Sequence, residues 1–294
     1  MFLWFFFAFG SAIAQSVLNA LSNEAVKVAR FSKIGISLVV TTTASLILIA
    51  ASFLFLGLPD LKPGFWPAVL ISGTLNIVML PLGLRAYELG EFSSVYSMSL
   101  AAPVFLLFTG WIFLGELPPV YGMAGVVLSV LGLWTIGQVV PARNDVPDFR
   151  KGNLLGLLVA LLASVSVNFD KLAVLYSNRI FAYGAGAGIM ALGYGVYLLI
   201  SRQPILVKNY TAEDTFSFRG IFILLLAGII QAANGVLYNS ALAIGFTSYT
   251  IAIKRLGVLF GVFWGWLFFR EKNISRKLLG AGLALAGVLL ILFS

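Results

Sequence analysis

The sequence predicts an all-α integral membrane protein of ten transmembrane helices arranged as two inverted five-helix repeats, and three observations carry that expectation. First, 60% of the 294 residues are hydrophobic and only 10% charged, with a mean hydropathy of +1.01. A water-soluble domain carries about a quarter charged residues, so most of this surface meets something other than water. Second, the apolar residues fall into ten runs of about the twenty residues that a helix needs to cross a hydrocarbon core. Third, the second half of the chain repeats the first.

The runs cover residues 2–22, 34–56, 65–87, 92–114, 119–140, 153–176, 179–200, 219–244, 247–269 and 277–293. Each is too long and too uniformly apolar for a tilted barrel strand of roughly ten residues, so helices are the spanning solution. Connections as short as Gly115–Pro118 and Gly245–Thr247 make neighbouring helices antiparallel hairpins. The first run has no basic stretch before it and no clear small-residue cleavage site, so it reads as the first helix and not as a signal peptide.

Lys and Arg set the orientation. Fourteen of them fall in the odd-numbered connections, among them Lys27, Arg150, Lys208 and Arg276, against Lys62 and Arg179 in the even-numbered ones. The odd connections are therefore expected in the cytoplasm and both termini outside, in what reads as a prokaryotic cytoplasmic (inner) membrane. The net charge of +8 is spread over these short gaps and forms no single basic patch, so no nucleic-acid partner is expected. The chain has no cysteine and no histidine, which removes thiol nucleophiles, imidazole bases and the usual zinc and haem ligands. No metal, no cofactor and no catalytic residue is expected, and the chain is not read as an enzyme.

An offset of 155 residues aligns positions 70–136 with 225–291 without a gap and with sixteen identities. The pairs include Gly110/Gly265, Trp111/Trp266, Phe113/Phe268 and Glu116/Glu271, a repeated Gly-Trp-x-Phe-x-x-Glu, followed by Gly125/Gly280 and Gly132/Gly287. Residues 1–140 form the first repeat, 141–152 a cytoplasmic linker and 153–294 the second repeat, all within one integrated membrane domain. Five helices is an odd number, so the second copy crosses the membrane in the opposite sense. That is the inverted-repeat plan of many secondary transporters, whose substrate sites lie between the halves.

Two five-helix halves, each with a Gly-Trp-x-Phe-x-x-Glu turn and a Gly-rich closing helix, resemble the EamA family of the drug/metabolite transporter superfamily. The resemblance covers essentially the whole chain. It implies a ten-helix carrier that moves small organic solutes by alternating access, with helices 5 and 10 mainly structural. Family members often place both termini in the cytoplasm, whereas the charge count here favours the reverse.

Polar residues inside apolar helices are the candidate site. Helix 1 carries Ser11, Gln15, Asn19 and Ser22 on one face; helix 6 carries Ser164, Asn168 and Lys171; helix 8 carries Gln231, Asn234 and Tyr238. Asn76 on helix 3 and the aromatic residues Tyr96 and Tyr249 join the expected lining. Gly184-x-Gly186-x-Gly188 has no strand before it and reads as a helix-packing row, not a nucleotide loop. Glu116 and Glu271 read as turn and capping residues.

The charges within helices are sharper. A Lys or Arg at the membrane centre is costly by roughly 2.5–3.5 kcal/mol on insertion scales, so such residues are normally functional. Lys171, Lys254 and Arg255 are expected at a similar depth, roughly 7–12 Å from the outer face at 1.5 Å per residue. Ala252-Ile253-Lys254-Arg255 is locally similar to the Lys-Arg pair on helix 9 of plastid phosphate and nucleotide-sugar translocators, and that similarity implies a pair that holds a substrate phosphate. Lys171 lies on the helix that carries a further phosphate-binding lysine in that group. The first repeat has Ser99 and Leu100 at the matching positions. Asp170 is the candidate proton-coupling carboxylate.

These readings predict a secondary transporter for a small organic solute, anionic by preference: a phosphorylated metabolite, a nucleotide sugar or a carboxylate. Export of amino acids or amphiphilic metabolites is the alternative, with Asp170 pairing the cations and Tyr96, Tyr238 and Tyr249 shaping the cavity. A lipid scramblase or flippase stands behind both. The expected partners are the solute and membrane lipids, with the chain a monomer or a homodimer.

Overall fold

The computed structural model describes residues 3–28, 31–90, 95, 98–137, 148–202, 205, 218–257 and 274–294. Ten α-helices are present among them: α1 Leu3–Val28, α2 Lys33–Leu56, α3 Phe65–Leu89, α4 Ala102–Leu114, α5 Val120–Gly137, α6 Phe149–Leu175, α7 Arg179–Ser201, α8 Phe218–Ile244, α9 Thr247–Arg255 and α10 Ile274–Leu292. Each answers to one of the ten apolar runs. Six of them, α1, α2, α3, α6, α7 and α8, are long and apolar enough to cross a membrane. Their outward faces are apolar as well: Leu54, Phe55, Leu199 and Ile200 are each about four-fifths exposed. A soluble monomer does not present apolar area on this scale, and the protein is an integral membrane protein.

Local chemistry explains where the helices start and stop. The Ser32 hydroxyl accepts from the Gly35 amide at 3.1 Å to start α2, and the Asn178 side-chain Oδ1 accepts from the Ile180 and Phe181 amides to start α7, both of the side-chain type favoured at that position. Helix α4 ends on Gly115, whose φ of 67° is one that glycine adopts without strain. Helix α1 continues six residues past the expected residue 22, because Leu21, Ala25 and Val28 prolong an apolar stripe that packs with Ile36, Val40, Ile223, Leu224 and Ala227.

Two spans differ from expectation in the same way. The run 92–114 is not one helix: Leu100 and Ala101 form a turn, and α4 begins only at Ala102 with Pro103 in its first turn. Proline has no N–H to continue a helix from the preceding turn. The run 247–269 likewise breaks, since α9 stops at Arg255 and Leu256 turns, its amide bonding the Ile253 carbonyl at 2.9 Å. Residues 258–273, which include the remainder of that run, lie outside the described residues. Ala101 and Leu256 are 155 residues apart, so the two breaks are repeat partners.

The chain forms two compact units. One comprises Met1–Ala12, Val78–Asn168 and Ile244–Ser294; the other comprises Ile13–Ile77 and Phe169–Ala243. Each therefore draws on both sequence repeats. In the first unit α5 and α10 cross through their glycines: a Cβ on Gly125 would lie 2.6 Å from the Gly287 carbonyl oxygen, and one on Gly132 would lie 2.6 Å from that of Gly280. The Ser129 hydroxyl donates to the Ala284 carbonyl across the same contact at 3.3 Å. Residue order along the contact makes the two helices antiparallel. In the second unit α2 and α7 cross at Gly184 and Gly188, and the Ser45 hydroxyl donates to the Gly184 carbonyl at 2.8 Å. The glycine row of α7 is a packing surface.

Candidate functional site

Two polar centres stand out in the apolar interior, one in each unit. In the second unit, α6 carries the half-buried Asp170, and its two carboxylate oxygens are bonded from different helices. The Ser72 hydroxyl of α3 donates to Oδ1, and the Tyr238 hydroxyl of α8 donates to Oδ2 at 3.0 Å. Asn76, one turn beyond Ser72, donates to the Ser72 carbonyl at 2.9 Å, and the Tyr194 hydroxyl reaches the Asn76 carbonyl at 3.4 Å. Tyr183 and Tyr238 meet edge to face with ring centroids 6.5 Å apart. Gly235 makes that approach feasible, because any side chain there would run into the Tyr183 ring.

An amide ladder continues this centre. Gln231 donates to the Tyr183 hydroxyl at 2.6 Å, Asn234 to the Gln15 side-chain carbonyl at 3.0 Å, and Gln15 to that of Asn19 at 3.1 Å. The expected stripes of helices 1 and 8 thus face each other. Asn19, at the end of the ladder, is exposed. Lys171 follows Asp170 on α6 and is half-buried.

In the first unit, Lys254 and Arg255 occupy the last turn of α9, directly before its break. Both are half-buried, whereas Thr247 to Ile253 are buried. Cations at a helix C-terminus suit the negative end of its dipole. Arg255 lies within electrostatic reach of the Tyr87 phenol on α3, and Tyr87 also hydrogen-bonds Ser99. Ser99 is the repeat partner of Lys254, so side chains from the two breaks converge on one tyrosine.

Two expected lining residues take other positions. Asn168, fully buried in the first unit, donates to the Ser164 carbonyl at 2.9 Å and lies 3.5 Å from the Thr247 hydroxyl. It therefore belongs to a different unit from Lys171, its neighbour on the predicted helix face. Tyr249 is buried beside Trp4 and Phe246, with its hydroxyl 3.0 Å from that of Ser294. Tyr96 lies outside the described residues, as do Glu271 and its turn.

Sequence reasoning missed Ser72, Tyr87, Ser99, Tyr183, Tyr194 and Thr247. A lone Ser or Tyr in an apolar helix carries no signal by itself. Ser99 is the exception, since the repeat offset that singled out Lys254 pointed to it as well. Among the described residues no cluster of three or more acidic side chains suited to a metal ion is present.

An all-α membrane bundle with duplicated helix breaks and two polar centres has the architecture of a membrane transporter. The chain belongs to the EamA-like transporter family, whose model matches residues 2–138 and again 150–293. It is thus a transporter of the drug/metabolite transporter superfamily type, with one family unit in each half. Among solved structures, a crystal structure of a protein aligns with 98% of this chain and 95% of its own, at a TM-score of 0.76 and 13% identity. That likeness concerns the fold alone. No curated protein matches the sequence.

Proposed function

We propose that the protein is a secondary transporter that moves a small organic solute by alternating access and holds its anionic group at Lys254 and Arg255. The observation that carries this reading is the placement of the two cations at a helix break whose repeat partner is also broken. Interrupted hydrophobic segments at corresponding positions of two halves are the strongest pointer to a transporter binding site. Adjacent cations that are half-buried inside an apolar bundle are costly to place there and are normally functional, and a carboxylate or phosphate is the group that two neighbouring cations attract. The guanidinium of Arg255 is suited to fork onto such a group while the Lys254 ammonium acts as a point charge. Lys171, in the other compact unit, is proposed as a solute-binding cation in its own right, and the two halves are proposed to be inverted copies, as the antiparallel α5–α10 crossing supports.

Asp170 is proposed as the proton-coupling carboxylate. Its hydroxyl partners Ser72 and Tyr238 reorient readily between donating and accepting, so the site suits either protonation state. No catalytic step is proposed. A prokaryotic inner membrane is the proposed location, and the distribution of Lys and Arg supports both termini outside.

A second reading is favoured by the centre around Asp170 itself. A carboxylate bonded by the Tyr238 hydroxyl, with the Tyr183 ring packed edge to face against Tyr238, also suits an amine-bearing solute, through charge and cation–π attraction. Thermal-shift screening of the purified protein separates the two. Stabilisation by phosphorylated metabolites, nucleotide sugars or carboxylates, lost in Lys254→Gln/Arg255→Gln, supports the anion reading. Stabilisation by amines or amino acids alone, retained in that double variant and lost in Asp170→Asn, overturns it in favour of the second.

A further inference from the structure

We infer that Glu116, on the turn after α4, is a positioning residue for Lys254 and Arg255: its carboxylate caps α9 from outside and seats the short helix whose other end carries both cations. The inference deepens the anion-site reading above, and its test separates the two.

The argument begins with what α9 lacks. It has nine residues, below the length at which a helix is stable on its own, and it ends in a break. Its first N–H groups have no partner within the helix. Phe246, in the N-cap position, offers no side-chain acceptor. Farther along, the Ser248 and Thr250 hydroxyls are buried and have no hydrogen-bond partner among the described residues, so none of these anchors the helix through them.

Glu116 supplies the missing cap from 131 residues away. Its Oε2 accepts from the Thr247 amide at 2.7 Å and from the Thr247 hydroxyl at 2.8 Å. A carboxylate here matches the positive end of the α9 dipole, just as Lys254 and Arg255 match the negative end. The turn itself holds Glu116 in place. Gly115 adopts a φ of 67°, and the Glu116 amide bonds back to the Gly110 carbonyl at 3.1 Å. Gly110 also leaves the necessary room: a Cβ there would lie 3.1 Å from the Thr247 hydroxyl and 3.5 Å from Oε2. The repeated Gly-Trp-x-Phe-x-x-Glu therefore reads, in its first copy, as a device that delivers a carboxylate to the helix end of the other half. All of these residues lie in one compact unit.

Thr247 and Arg255 are eight residues, or about 12 Å, apart along the axis. A helix unseated at its start and tilted by roughly 10° therefore displaces its last turn by about 2 Å, enough to spoil a forked contact from Arg255.

The test uses the full chain in lipid nanodiscs. The native chain has no cysteine, so Arg255→Cys and, as a distant control, Asn19→Cys each give a single reactive thiol. An anionic methanethiosulfonate reagent then reads the setting of position 255. Glu116→Ala is expected to change the rate at 255 by roughly fivefold or more, the factor a lost cap supplies, and to leave the rate at 19 unchanged. Gly110→Ala, which crowds the cap but keeps the carboxylate, is expected to act in the same direction and serves if Glu116→Ala does not fold. Thr247→Ser, which keeps both donors, is expected to behave as wild type. An unchanged rate at 255, or an equal change at 19, overturns the proposal. In cysteine-free protein, inorganic phosphate is the ligand probe. Glu116→Ala is expected to weaken its binding by roughly fivefold and to add nothing in the Lys254→Gln/Arg255→Gln background. If phosphate binds none of the proteins while the rate at 255 still responds to Glu116→Ala, the anion reading falls and the positioning role stands.

Discussion

Gly132→Ala tests the α5–α10 crossing with a single methyl group. That carbon would lie 2.6 Å from the Gly280 carbonyl oxygen and 2.9 Å from the Ala284 Cα, and closer still to the Ala284 amide nitrogen. Every one of these neighbours is backbone, so no side chain can swing aside and the helices must separate. Overpacking of this kind is destabilising by about 1–3 kcal/mol. Separation also breaks the Ser129–Ala284 bond, already long at 3.3 Å, for about 1 kcal/mol. Against this, alanine is favoured over glycine inside a helix by about 1 kcal/mol. The expected net loss is about 1–3 kcal/mol. Gly282→Ala on α10 is the matched control, because a Cβ there meets nothing within 4 Å. It gains the propensity term without the clash and should be neutral or slightly stabilising. Thermal unfolding of the detergent-solubilised variants, followed by the loss of soluble monodisperse protein, gives the ranking. A Gly132→Ala protein as stable as Gly282→Ala would refute the close crossing.

Further predictions concern orientation and the two polar centres. Single cysteines replacing Lys27, Arg150, Lys208 and Arg276 should be shielded from an impermeant thiol reagent in intact cells, and labelling of position 208 or 276 from outside would reverse the topology. Lys254→Gln/Arg255→Gln should yield an inserted, folded protein that has lost solute binding, because the substitutions remove two insertion penalties along with the counter-charge; wild-type binding would eliminate the anion site. Lys171→Gln should weaken solute binding while preserving the pH dependence of transport, whereas Asp170→Asn should abolish proton-driven accumulation in proteoliposomes and leave solute exchange running. Recovery of function in the double neutral variant would show that Asp170 and Lys171 serve only as an ion pair.

The fold was legible wherever one local signal sufficed. Run length and hydropathy located all ten helices, and glycine spacing marked the packing rows of α5, α7 and α10 though not the helices they meet, since only a residue without a side chain permits helix backbones to approach so closely. Helix interruption was less legible. Pro103 is visible in the sequence, but the break at Leu256 has no proline and is recognised only through its repeat partner Ala101. The amide stripes of helices 1 and 8 were legible because Gln15, Asn19, Gln231 and Asn234 are costly in an apolar helix and recur at helical spacing. Ser72 and Tyr183 were not, because an isolated hydroxyl satisfies itself on the preceding turn as readily as it reaches a neighbouring helix. Glu116 marks the limit of such reading. Its place at a helix end predicted capping, yet nothing in the local sequence says that the helix it caps begins at Thr247.

Duplication and chemistry part company in the first unit. The two halves share the break, the Gly-rich closing helix and the turn glutamate, all features of backbone geometry that a duplicated scaffold keeps in both copies. The charged pair occurs once: where the second half has Lys254 and Arg255, the first has Ser99 and Leu100. A symmetric bundle with cations at both breaks would desolvate four like charges in one apolar interior, and each uncompensated charge adds its own insertion penalty. Serine in place of the first lysine avoids that repulsion while keeping a donor, and the structure shows its use in the hydrogen bond between Ser99 and Tyr87, the phenol that Arg255 also approaches. The scaffold is therefore duplicated while the charge is not. That asymmetry agrees with the proposal that a single break holds the anionic group of the solute.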